Sequence, residues 1–209
     1  MMSSALGLNL QRMWWRHKAT HPILQALLSE PLHTQNFKDT RYVVIDLETT
    51  ALDPNQGEIA SVAWVVIEQA TICLNQAAHF HVKLQREVGQ SAVFHQLTDS
   101  DLEQGVNLSV AMEALLNVVS NSVLVFHNAH LDMGFLNKAM RSLWNAPLLM
   151  PVVDTLQIEH KRLLQRTEAI QVGDLRLFQC RQRYGLPDVA LHDALGDALA
   201  TAELWLAMN

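Results

Sequence analysis

Residues 42–50 read Tyr-Val-Val-Ile-Asp-Leu-Glu-Thr-Thr, an apolar run with two acids near its end. In an extended chain side chains alternate, so Tyr42, Val44, Asp46 and Glu48 share one face and Val43, Ile45 and Leu47 the other. A continuous apolar run predicts a strand buried on both faces. Asp53-Pro54-Asn55-Gln56-Gly57 is a turn signal, and strands are predicted over 59–67 and 70–84. Three strands joined by short turns predict an antiparallel meander. Helical periodicity follows over 109–119, with Ser109 as its N-cap, and 122–126 is a short buried strand. A helix is predicted over 131–144 from the stripe Phe135, Leu136, Ala139, Met140 and Leu143. A fifth short strand at 152–155 leads into a helix near 155–166. Another helix over 174–184 is stopped by Gly185 and Pro187, and a last one spans 194–208.

Upstream of the first strand, residues 1–30 read as helical, with Leu8, Met13, Trp14, Trp15, Ile23, Leu24, Leu27 and Leu28 as apolar contacts. Pro22 suits the first turn of a second short helix. Residues 31–41 read as a linker, so the expected organisation is a helical appendage with linker at 1–41 and one domain at 42–209. The basic cluster Arg12, Arg16, His17 and Lys18 beside the tryptophans has two readings. It could dock a nucleic acid or a partner protein, but the favoured reading is an amphipathic appendage packed on the main domain with a solvated basic face.

Composition changes this picture little: 49% hydrophobic and 17% charged residues describe a globular chain of 209 residues. No apolar run reaches the ~18 residues of a membrane span. The first 29 residues lack the continuous apolar segment of a signal peptide. Cys73 and Cys180 form no CxxC pair, and a reducing, cytoplasmic setting is expected. The net charge of −6 is uneven: residues 1–41 carry five Lys/Arg against two acids, whereas 42–209 carry ten against nineteen. An acidic body argues against a protein that coats duplex DNA. It fits contact with a few phosphates, or acids that cations neutralise.

Asp46 and Glu48 on one face of an apolar strand repel each other and are costly to desolvate unless a cation neutralises them. Asp132 precedes Phe135 and Leu136 on the inward face of its helix. Asp197 falls off the stripe of Leu195, Leu199, Ala202 and Leu206, which permits it to face away from the core. His192, just before the last helix, has the ordinary pKa of ~6.5 that suits proton transfer near neutrality. His79 and His81 alternate with Lys83 on a strand and, with no third ligand in sequence, are expected on a solvated face.

Three segments together carry a resemblance: Val-Ile-Asp46-Leu-Glu48-Thr-Thr, His127-Asn128-Ala129-His130-Leu-Asp132, and His192-Asp-Ala-Leu-Gly-Asp197-Ala. They resemble the exonuclease motifs of the DEDD superfamily, and His192 points to its DEDDh branch. Within that branch the chain is similar to the proofreading epsilon subunit of bacterial DNA polymerase III and its stand-alone relatives. Val93-Phe94-His95-Gln96-Leu97-Thr98 is similar to that group's His-Gly-Ile-Thr segment. The resemblance covers 42–207 and implies an α/β, ribonuclease-H-like fold, a mixed five-stranded sheet flanked by helices.

The resemblance also implies two divalent cations, Mg²⁺ or Mn²⁺, held by Asp46, Glu48, Asp132 and Asp197, with His192 as general base on the attacking water. Thr49, His95 and Asn128 match positions around the terminal nucleotide. The implied activity is 3′→5′ hydrolysis of single-stranded nucleic-acid ends, DNA favoured over RNA, releasing nucleoside 5′-monophosphates. The alternatives are RNA trimming of the ribonuclease T or oligoribonuclease kind, and an inert nucleic-acid-binding adaptor. The pattern departs at Ala51, where glycine usually follows Glu-Thr-Thr, at His130, usually apolar or aromatic, and at Gln96, usually glycine. The chain ends at Asn209, directly after the last helix, so a private protein partner is expected at the N-terminal segment.

Overall fold

The computed structural model describes residues 5–32, 36–85, 105–166, 169–189 and 193–209. Five strands form one mixed sheet: β1 (Arg41–Thr49), β2 (Ile59–Glu68), β3 (Thr71–His81), β4 (Ser122–Phe126) and β5 (Val152–Asp154). Their order is β3-β2-β1-β4-β5. The β1–β2 and β2–β3 pairs are antiparallel, while β1–β4 and β4–β5 are parallel. The strand with the two acids is therefore central, which explains its apolar character on both faces. α1 (Ala5–Arg16) and α2 (Pro22–Ser29) precede the sheet. α3 (Leu108–Val118) and α4 (Ala129–Trp144) flank β4, and α5 (Thr155–Gln165), α6 (Leu177–Arg183) and α7 (Ala194–Ala207) follow β5. This is the expected mixed five-stranded sheet flanked by helices, with helices at the N-terminus.

Alternation along β1 divides the core in two. Val43, Ile45 and Leu47 pack with Leu24, Leu27 and Leu28 of α2, Leu115 of α3 and Phe135 of α4. Tyr42 and Val44 face the other way, into a cluster with Cys180 of α6 and Ala202 and Trp205 of α7. No helix among the described residues is long and apolar enough to cross a membrane. Both cysteines are free.

Element boundaries differ from the sequence reading for local reasons. The third strand begins at Thr71 because Gln69 and Ala70, both at positive φ (50° and 57°), make the two-residue turn between the paired Glu68 and Thr71. Such turns usually take Asn-Gly, so the sequence lacks their signal. α3 begins at Leu108, with Asn107 rather than Ser109 in the N-cap position. α4 begins at Ala129, two residues before the predicted start. α6 begins at Leu177 rather than at 174, because the preceding residues form a turn. Gly173 sits there at φ +99°, and the Asp174 carboxylate accepts from the Gln171 amide at 2.6 Å.

α1 departs from the expected pattern at Arg12, Met13 and Trp14, whereas Trp15 packs against the core and Arg16, His17 and Lys18 are exposed as expected. Arg12 is 2% exposed, and its guanidinium donates to the carbonyls of Leu149 (2.7 Å), Glu30 (2.8 Å) and Leu27. Burial lowers its pKa, and Glu30 opposes that shift. Met13 and Trp14, read as core contacts, are instead 58% and 54% exposed. The N-terminal helices reach the far end of α4, where Thr20 donates its amide to the Trp144 carbonyl (3.0 Å) and His21 lies 4.4 Å from the Trp144 ring.

Candidate metal centre

Register places the acids. Asp46 pairs with Ala63 and Glu48 with Ser61, and the ladder is broken by an irregularity between Glu48 and Thr49. Both carboxylates thus emerge at the C-terminal end of β1, beside parallel β4, the position where open α/β sheets collect ligands. α7 crosses this face with Ala194, Ala198, Thr201 and Trp205 buried. Asp197 lies beside that sheet-facing stripe, three residues from Ala194 and four from Thr201, and off the stripe of Leu195, Leu199, Ala202 and Leu206. The small residues bring the helix close to the sheet. Asp193 caps α7 by accepting from the Gly196 amide at 2.8 Å.

Carboxylate oxygens of Asp46, Glu48 and Asp197 all lie within 4.8 Å of one another. Asp132, in the first turn of α4, is 5% exposed. Burial first, then the charges of Asp132, Asp197, Glu48 and Asp193, push the Asp46 pKa well above the usual carboxylate range. Burial and then Asp197 and Asp193 raise Glu48 to about 7. Burial is also the largest cause at Asp132, raised to about 7 with contributions from Asp154 and Glu48. Crowded carboxylates of this kind cannot all ionise without a cation. Hard oxygen donors suit Mg²⁺ or Mn²⁺, so the donor set fits a divalent metal.

Thr49 and Asn128 sit at the ends of the elements that carry the acids. The Thr49 hydroxyl donates to the Ala51 carbonyl at 2.9 Å, within the β1–β2 loop. Asn128 is exposed and left-handed (φ 86°), a conformation that asparagine tolerates better than most residues. His192 and His95 lie outside the described residues. Ala51 fits without a positive φ. A Cβ at Gly57 would come within 2.9 Å of the Ala51 nitrogen and 3.0 Å of its methyl, so it is residue 57 that must be glycine for the loop to close.

The sequence reading missed Asp154. At the end of β5 its carboxylate accepts from the amides of Asn128 and Ala129 (3.1 Å each), at the start of α4, and of Leu156 (3.0 Å) and Gln157 (3.4 Å), in α5. One acid thereby holds two helix N-termini, one of them the helix that presents Asp132. Asp154→Ala is expected to cost about 2–4 kcal/mol, since it strips a charged acceptor from several amides. A melting temperature lower by roughly 5–15 °C would show it, with Asp154→Asn recovering part of the loss.

His79 and His81 do not lie on a freely solvated face. Pairing through Ala63 and Ser61 puts them in register with Asp46 and Glu48, on the same side of the sheet. Their rings are 4.5 Å apart, and His79 Nε2, His81 Nδ1 and Ser61 Oγ are buried without a hydrogen-bond partner among the described residues. Burial and then His81 lower the pKa of His79, against Asp193. Only the strand pairing reveals this row.

The family described as exonuclease, RNase_T, matches residues 43–205. The chain belongs to this DEDD-type 3′→5′ exonuclease family. Among relatives of this exonuclease chain, the PolC-type DNA polymerase III of Thermotoga petrophila is 28% identical over 175 residues, 83% of this chain and 12% of that protein. The chain thus spans about an eighth of the length of such relatives. Solved structures share the fold. Cell-death related nuclease 4 superposes with a TM-score of 0.68 at 18% identity, covering 82% of this chain and 64% of that one. A zinc-bound complex of E. coli Exonuclease I with single-stranded DNA gives 0.68 at 16%, covering 81% and 40%.

Proposed function

We propose that this exonuclease removes nucleoside 5′-monophosphates from single-stranded 3′ ends, with DNA as the favoured substrate. The observation that carries the reading is the convergence of Asp46, Glu48 and Asp197 within 4.8 Å, with Asp132 buried beside them. These four side chains would hold two divalent cations, Mg²⁺ or Mn²⁺. Such ions, when bound, stabilise charge on the attacking and leaving oxygens of an in-line displacement. His192 takes the proton of the attacking water in this reading, and Thr49, His95 and Asn128 orient the terminal nucleotide. Family membership and the single-stranded DNA bound by E. coli Exonuclease I support the substrate class.

The test is incubation with 5′-labelled DNA and RNA of one sequence, with Mg²⁺, with Mn²⁺ and with EDTA. A ladder shortening from the 3′ end, faster on DNA and absent in EDTA, is expected. Faster loss of RNA reassigns the substrate to RNA trimming, and intact strands with both metals make the chain an inert binding module.

A further inference from the structure

α1 turns several apolar residues outward. Its exposed side presents Leu10 (58%), Met13 (58%) and Trp14 (54%), while Arg12 is taken inward by three carbonyls. An exposed apolar patch beside a buried charge is more informative than an exposed leucine alone. Leu10, Trp14 and Lys18 recur every four residues, and the Lys18 ammonium lies 3.5 Å from the centroid of the Trp14 ring. Trp15 stands edge-on to Trp14 at 4.5 Å and is covered on another side by the Arg141 guanidinium at 5.4 Å. No acid occurs in α1 or α2. Indole faces flanked by lysine and arginine match the way single-stranded nucleic acids are held, by base stacking beside cations that meet the phosphates.

Arg141 belongs to α4, where it joins this platform to a groove. A groove of about 540 Å³ runs along α4, with His130, Gly134, Asn137 and Arg141 on its floor and Pro54 on its wall. The wall is fixed by close packing, since a Cβ at Gly134 would meet the Pro54 ring at 2.9 Å. Lys138 fastens it by donating to the carbonyls of Pro54 and Gly57. His130 shares the first turn of α4 with Asp132 but lies about 200° round the helix from it, and Arg141 lies eleven residues farther along from His130, roughly 16 Å at 1.5 Å per residue. At about 3.4 Å per stacked nucleotide that distance holds around five nucleotides. The domain at 42–209 is acidic, whereas residues 1–41 carry the excess of Lys and Arg.

We infer that the groove along α4 and the platform of Trp14, Lys18 and Arg141 form one path for a single strand whose 3′ end rounds the start of α4 to the acids. The inference rests on the exonuclease reading above. It assigns the N-terminal helix a share in holding substrate several nucleotides upstream of the cut.

Fluorescein-labelled dT12 reaches the platform and dT3 stops short of it, so their binding, read by anisotropy in EDTA at several salt concentrations, isolates the platform. Trp14→Ala is expected to weaken dT12 about tenfold. Trp14→Phe keeps an aromatic face and restores most of the affinity. Lys18→Ala with Arg141→Ala should flatten the salt dependence of log K by about 1.4, at roughly 0.7 per cation on a single strand. Hydrolysis of dT3 with Mg²⁺ should be unchanged in every variant. Equal dT12 affinity and salt slope in wild type and variants, or no binding of dT12 by wild type, overturns the inference and leaves the face to a protein. If wild type hydrolyses neither oligonucleotide, the exonuclease reading fails while the dT12 comparison still decides the platform.

Discussion

Asp197→Asn is expected to lower kcat on the order of a thousandfold or more, about 4 kcal/mol of transition-state stabilisation. Asp197 reaches the cluster from α7, whereas Asp46 and Glu48 both come from β1. Its amide replacement keeps the shape of the side chain but removes one charge from a group of carboxylates within 4.8 Å. The same change relieves repulsion on Glu48, whose pKa Asp197 raises. The fold should therefore persist, with a metal-free melting temperature no lower than wild type. Single-turnover hydrolysis beside a thermal melt separates the two effects. A folded variant that keeps its rate would remove Asp197 from the metal centre.

Metal-free protein should lose stability as pH rises from about 5 to 8, and divalent cations should restore it. Glu48 and Asp132 are raised to about 7 in the folded chain, against ~4 for unfolded carboxyls. The folded state thus binds these protons more tightly than the unfolded one. Their contribution favours folding at low pH and is lost progressively as pH rises from about 4 through about 7, until above that both groups are ionised in either state. A bound dication reverses the sign, because it needs the carboxylates charged. At a hundredfold excess over Kd it adds about 2.7 kcal/mol, roughly 5–10 °C in a chain of this size. The readout is the gap between melts in EDTA and in Mn²⁺, which should widen with pH. A gap that is absent at pH 8 would contradict a metal centre at these acids.

The central strand was legible because alternation is a strict rule: Asp46 and Glu48 had to share a face. Asp132 was legible for a similar reason, from its spacing to Phe135 and Leu136. Asp197 was harder, since periodicity weighs leucines, and the buried stripe of α7 is built largely from alanines and Thr201. α1 was misread because hydrophobicity alone cannot show that three backbone carbonyls await Arg12. Asp154 and the His79–His81 row depend on strand neighbours distant in sequence. The β2–β3 turn uses Gln69 and Ala70, neither of which announces a positive φ.

Ala51 changes meaning once Gly57 is seen to be the residue that permits loop closure. An alanine at an ordinary φ restricts the unfolded chain more than glycine would, worth about 0.4–1 kcal/mol without any new contact. The loop that bounds the groove is thus stabilised by what its disordered form gives up. Where the family's pattern has glycine directly after Glu-Thr-Thr, this chain has alanine there and a glycine at 57 whose missing side chain makes room for it.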